Sequence, residues 1–536
     1  MAGAAHALVL AAVWLSPPAL LAVGPMLLAD GIRGLWAPLA LGGGAVLVAL
    51  LVGAPWSRLP AAGPPNVLRL LRQRWPGAGS PVGPAALATA VSALLFLWAQ
   101  LAAVRELARA LGWPGPVAVA VIAAALALAA WRPAVGWRLA LPAAALALVG
   151  LLGPLAAVVA ATDPAWPGVW RDVASRPRVT FATDSAWVSE GRSVRGDGVE
   201  LTLAIREEQR VTLLGRGRVR VHLWEGGTWS RDVRADADLT LRPGDRLVVP
   251  DGFPIRFQAA RAVPGAPASG PDWLDPPGPR SDWRTLVGLG VTLLLGPLGL
   301  APVHAALPGT RAVGAGAVRA AGALVALGLV AAALWVLYAA WLTPEVYLGG
   351  VAGVEVYLLP ASVAALGTGS APLADLAMLG LVGGGVAGAL AALRAVPREL
   401  AGGGQGAAWP TLVVAAVGGV LAALTPAGPW PVLVAAFGVA ASATGPGVVL
   451  ACWRERLSAR GVAVGTSLGL VLFVALGLLG PLALGRVPET SWLRWLATWP
   501  VLVAAPANAL ATWLLSAAPR PSPRSPLPPA FADLHV

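Results

Sequence analysis

Lysine is absent from this chain of 536 residues; all 38 basic residues are arginine. A phosphate-binding Gly-x4-Gly-Lys loop is therefore impossible, which argues against ATP-driven chemistry within the chain. The single cysteine, Cys452, excludes an internal disulfide. Four histidines (His6, His222, His304 and His535) are scattered too widely to form a metal cluster or a His-Glu-x-x-His helix. No Gly-x-Ser-x-Gly elbow is present either. Charge is scarce as well, at 12% of residues, where soluble domains carry roughly 25%.

What is present is apolar. Hydrophobic residues make up 57% of the chain, with a mean hydropathy of +0.73. A water-soluble chain of this length has no interior large enough for them, so the composition predicts a polytopic α-helical membrane protein. Twelve apolar runs have the length a helix needs to cross about 30 Å of hydrocarbon. They lie near 5–29, 34–54, 85–104, 115–131, 139–162, 285–306, 318–342, 371–393, 409–426, 430–452, 462–485 and 495–516. No cationic residue precedes the first run, so a cleaved signal peptide is not expected. Abundant Gly and Pro with arginine for every cation match the codon usage of a GC-rich bacterial genome.

Arginine sets the expected orientation. With the N-terminus in the cytoplasm, fifteen loop arginines fall inside and five outside. Both termini are thus expected in the cytoplasm, with the polar middle of the chain outside the inner membrane. Residues 344–367 are nearly apolar enough for a thirteenth span, but counting them would send the Arg394/Arg398 and Arg454/Arg456/Arg460 loops outward. They read instead as a re-entrant or interfacial segment. Residues 67–75 (VLRLLRQRW) have apolar and arginine faces at helical spacing and predict a short helix on the inner leaflet.

Four regions follow: a membrane domain over 1–162, a β-domain with a Pro/Gly-rich linker over 163–283, a second membrane domain over 284–518, and a disordered proline-rich tail over 519–536. The middle region alternates apolar and polar residues with period two at 199–205, 209–214, 218–224, 238–241 and 246–249. Turn residues separate these runs, which predicts a small β-barrel or sandwich. The region holds 18 arginines against 17 acids when Arg284 is included, so the net charge of +12 is not a nucleic-acid surface.

Within it, 241–257 (LRPGDRLVVPDGFPIRF) resembles the second motif of cupin-type barrels, through Gly244, Pro250 and Gly252. The resemblance covers about 17 residues and implies a barrel-like shape. The family's metal-binding histidine falls on Ile255, and no His-x-His precedes it, so neither a metal nor a cofactor is implied.

The most distinctive local pattern is a repeat. Glu345-Val346-Tyr347-Leu348 recurs as Glu355-Val356-Tyr357-Leu358. Two carboxylates and two phenols so close at a membrane face suit cation, proton or headgroup binding; as interfacial anchors facing water they would do none of these. Asp375, entering the next span, joins them as a candidate, or serves as a helix-entry acid. Gln100 and His304, inside apolar runs, read as interhelical hydrogen-bonding groups. Gly461, Gly465 and Gly469 read as a close-packing stripe, and Gly445-Pro446-Gly447 as a break in the tenth span.

Two functions remain open. The leading one is a non-enzymatic translocator, or a membrane subunit of an envelope complex whose outer β-domain meets a partner or substrate. The alternative is an envelope transferase acting on lipid-linked sugars, with Glu345, Glu355 or Asp375 as base.

Overall fold

The computed structural model describes chiefly residues 30–53, 66–76, 81–110, 114–122, 184–188, 200–205, 207–223, 227–250, 253–264, 282–300, 392–400, 409–425, 428–480 and 491–517, with isolated positions between them. Most of these are helical. Four helices are long and apolar enough to cross a membrane: α1 (Arg33–Gly53), α3 (Val82–Glu106, continuing to Ala110), α6 (Pro429–Trp453) and α7 (Ala459–Leu478). A fifth crossing is formed if α8 (Trp492–Thr498) and α9 (Val501–Ala517) count as one broken span. Shorter helices are α2 (Val67–Arg74), α4 (Trp283–Gly299) and α5 (Trp409–Leu424). The other expected spans lie largely outside the described residues.

Most of the helices pack on one large apolar core, with smaller clusters around Val439 and Val501, and the bundle has two distinct ends. At the near end, Trp36 Nε1 donates to the Leu286 carbonyl at 2.6 Å and Trp495 Nε1 to the Arg284 carbonyl at 2.8 Å. At the far end, Trp453 Nε1 donates to the Leu51 carbonyl at 2.7 Å, and Ser458 meets Ser516. Arg72 pairs with Glu399 at 3.2 Å, and Arg74 binds carbonyls at the end of α6, so both arginines belong to the far end. Glu399, in the helical segment 392–400, and the 454–458 turn therefore share an end with α2. Indole N–H groups that bind backbone at both ends suit an aromatic belt.

Three local features differ from expectation. Gly445-Pro446-Gly447 does not break α6. A π-turn at Ala440–Thr444 widens the helix before the proline, which has no N–H to give the Ser442 carbonyl. The expected span at 495–516 is instead bent by 77°, because Pro500 keeps Trp499 out of the α region, at φ −120° and ψ 69°. And α2 does not lie free on a surface: Asn66 caps it, and Val67, Leu68, Leu70, Leu71 and Arg74 are buried.

The closest helix pair is α7 with α9. Gly461, Gly465 and Gly469 face Ser516, Thr512 and Asn508, two rows with the same four-residue spacing. A Cβ on Gly469 would collide with the Ser442 carbonyl oxygen, and one on Gly465 with the Thr512 hydroxyl. Glycine is required here by proximity, which is what small residues supply between apolar helices.

The β-domain has its own core and, among the described residues, eight strands: β1 (Ser185–Val188), β2 (Glu200–Ala204), β3 (Gln209–Leu213), β4 (Gly217–Leu223), β5 (Gly227–Val233), β6 (Ala237–Leu241), β7 (Arg246–Pro250) and β8 (Pro254–Phe257). They form two antiparallel sheets, in orders β1-β8-β3-β6 and β2-β7-β4-β5. Strand one thus pairs with eight, two with seven, three with six and four with five. That is one long ribbon rolled up, the jelly-roll form in which cupins are also built. Strands β1, β5 and β8 were not legible as strands in the sequence, although β8 alternates in burial over its four residues. Gly244 takes φ 93° in the turn before β7, where the Asp245 carboxylate accepts from the Arg242 N–H at 2.8 Å. Ile255, at the histidine position of the resemblance, is fully buried with Leu213, Phe257 and Val211. Val263 and Ala266, expected in an extended linker, belong to this core instead.

Gly469→Ala should lower the melting temperature of the detergent-solubilised protein, by the roughly 1–3 kcal/mol that overpacking costs. Gly83→Ala, at a position with nothing within 4 Å, should be neutral or slightly stabilising. Equal melting curves for the two variants would contradict the glycine contact.

Candidate functional site

A cleft of about 740 Å³ opens between α1, α3, α4, α6, α7 and the α8–α9 bend. This volume lies within the range of small-molecule sites. Its walls are mostly apolar, with Leu95, Leu289, Val434, Phe473, Leu478 and Trp499 among them. Its lining reaches the helix irregularities. Gly438 and Val439 precede the π-turn of α6, Gly477 and Leu478 lie in a second π-turn at Ala475–Leu479, and Trp499 and Pro500 form the bend. π-Turns are rare and often accompany function.

The polar groups are few. Asp30, Arg33, Thr285, Thr292 and Thr498 line the cleft. Thr292 Oγ1 donates to the Gly288 carbonyl at 2.7 Å and Thr498 Oγ1 to the Arg494 carbonyl at 2.9 Å, so both hydroxyl protons are used within their own helices. Asp282 caps α4 by accepting from the Thr285 N–H at 2.8 Å. Hydrogen bonds from Thr285 hold the Asp282 carboxyl below its usual pKa range. This cap is therefore complete above the ordinary carboxylate pKa and is lost as pH falls through the lowered one. Beside it, the Arg284 guanidinium lies 4.8 Å from the Trp492 ring centre and 5.7 Å from that of Trp283.

Behind the cleft is a buried polar junction. Asn508 Nδ2 donates to the carbonyls of Ser442 (2.8 Å) and Ala443 (2.7 Å), and Thr512 Oγ1 donates to Asn508 Oδ1 at 3.1 Å. Asn508 thereby supplies the donor that Pro446 cannot. Thr444 Oγ1 donates to the Gly299 carbonyl at 2.7 Å, satisfying the end of α4. That helix stops nine residues short of Trp453, roughly 13 Å inside the far end. Ser442 Oγ is buried without a hydrogen-bond partner.

Two arginines close other helix ends. Arg74 donates to the carbonyls of Ala451, Arg454 and Glu455, and its burial pushes the guanidinium pKa down to about 10. It remains a cation at neutral pH. Arg105 donates to the carbonyls of Ala422 and Thr425 and pairs with Glu106 at 2.7 Å. Both oppose the negative end of a helix dipole.

Glu345, Tyr347, Glu355, Tyr357 and Asp375 lie outside the described residues, as does His304. Gln100 is fully buried, but neither carboxamide atom makes the interhelical hydrogen bond expected of it. Among the described residues no group of three His, Cys, Asp or Glu is placed to hold a metal. Asn508 and Arg33 were not singled out from the sequence. The signal for Asn508 was there: the chain has two asparagines, and this one shares its spacing with Thr512, Ser516 and the facing glycines.

No family model matches the chain, and no curated protein is similar to it.

Asn508→Ala should strand two buried carbonyls, at about 1–3 kcal/mol each. The amides around the π-turn of α6 should then exchange faster with deuterium. Unchanged exchange between residues 440 and 450 would remove the capping role.

Proposed function

We propose that this chain is an integral protein of the bacterial cytoplasmic membrane that translocates an apolar or amphiphilic cargo through the cleft, without transforming it. The observation that carries the reading is the match between the cleft and the irregular helices. Discontinuous helices beside a mostly apolar cavity are the usual construction of transport sites. Helices that have already left regular geometry at Ala440, Ala475 and Pro500 need little further distortion to move. The chain returns from the jelly roll to the bundle at Asp282, at the near end where the cleft opens. In this reading it meets the cargo or an envelope partner on the outer side.

The orientation has two cytoplasmic termini and an external β-domain. Its support is the collection of Arg69, Arg72, Arg74, Arg454, Arg456 and Arg460 at the far end, the pattern of a cytoplasmic face. Reporter fusions at Ala61, Gly227 and Pro521 should read inside, outside and inside. An inward signal at Gly227 would reverse the model.

Transport is tested with the full chain in liposomes carrying traces of fluorescent phosphatidylcholine or phosphatidylglycerol. Dithionite bleaches only label that reaches the outer leaflet. The protein should take bleaching of at least one lipid well past the outer-leaflet share, and Ala435→Phe, which projects into the cleft, should slow it. Bleaching identical to that of empty liposomes for both lipids would overturn the reading.

A further inference from the structure

The cleft's polar groups are unevenly committed. Thr292 and Thr498 donate within their own helices, and Thr285 binds Asp282. Asp30 is buried, at 6% exposure, at the start of the short turn Gly31–Leu35 that leads into α1, and it has a partner of its own. Arg33, three residues on, is exposed at the mouth and makes no ion pair among the described residues. An arginine at the rim of an apolar cavity, with no carboxylate paired to it among the described residues, suits an anion whose remainder is apolar. Trp430 and Trp499 also line the cleft.

We propose that the cleft binds one acyl chain of an anionic, phosphate-bearing amphiphile, with the headgroup on Arg33. The chain would lie along Leu289, Val434 and Phe473, apolar residues of the cleft wall. The guanidinium would take two phosphate oxygens through paired N–H donors, a geometry a choline-masked headgroup meets less well. Phosphate alone would gain nothing from the walls, and an uncharged chain would leave Arg33 unused. Tail and charge are both needed. This deepens the translocator reading by naming its cargo, and it rests on that reading for the cleft being the route.

The test is native mass spectrometry of the full chain, after incubation with equal amounts of phosphatidylglycerol and phosphatidylcholine of matched chains. One phosphatidylglycerol should be retained over phosphatidylcholine by roughly tenfold, the factor one charge-assisted contact provides. Arg33→Gln should bring that ratio close to one while a lipid is still retained. Ala435→Phe and, independently, Gly477→Leu should reduce retention of both lipids; the Gly477 position leaves room for a Cβ, 3.7 Å from Pro500. Inorganic phosphate should not displace the lipid. Equal retention of the two lipids, a preference that survives Arg33→Gln, or retention indifferent to both filling variants would overturn the proposal. Lipid movement in liposomes with no headgroup preference in the spectrometer would sink this inference and leave the translocator. Retained phosphatidylglycerol with no movement would do the reverse.

Discussion

A peptide carbonyl without a partner in an apolar interior costs several kcal/mol, and this chain breaks its helices repeatedly while meeting that demand. Asn508 spans the gap Pro446 leaves in α6, Thr444 closes the end of α4, and Arg74 and Arg105 close the ends of α6 and α5. Each is a polar side chain whose carbon stem lies among apolar neighbours and whose head reaches backbone on another helix. Without them the π-turn, the short helix and the two helix ends would carry exposed peptide groups in a place that offers no water.

The same junction gives the bundle its asymmetry. At the far end α7 and α9 are drawn together along the glycine row, with Ser458 and Ser516 joined above it. At the near end the π-turn of α7 and the bend at Pro500 meet, and together with α4 they line the cleft. The bundle is thus packed through glycine at one end and lined by irregular helix around the cleft at the other. That asymmetry supports cargo passing between helices in preference to chemistry at a fixed set of side chains.

Composition and period were enough to find the apolar helices and five of the eight strands, because burial leaves a periodic trace in the residues that make it. The backbone departures were harder. Pro446 and Pro500 are the same residue type in similar apolar runs, yet one is absorbed by a π-turn and the other bends its span by 77°. The difference lies in a partner on another helix, Asn508, whose spacing with Thr512 and Ser516 was legible but whose pairing with the α6 carbonyls was not. Arg74 and Arg105 were legible as charges at helix ends but not as caps, since the carbonyls they bind lie more than 300 positions away. The β1 and β8 strands escaped because four residues are too few to establish a period, and β5 because it is an edge strand of mostly polar residues. The Glu345–Tyr357 repeat remains a sequence observation, outside the described residues.

The cleft as a lipid-occupied route is the claim on which the account stands, and its most direct measurement is a cryo-electron microscopy map of the full chain in a nanodisc containing phosphatidylglycerol. The account predicts elongated density between α4, α6 and α7, ending in a compact feature beside Arg33. A cleft closed by direct packing of Leu289 on Phe473, with no density between them, would contradict it.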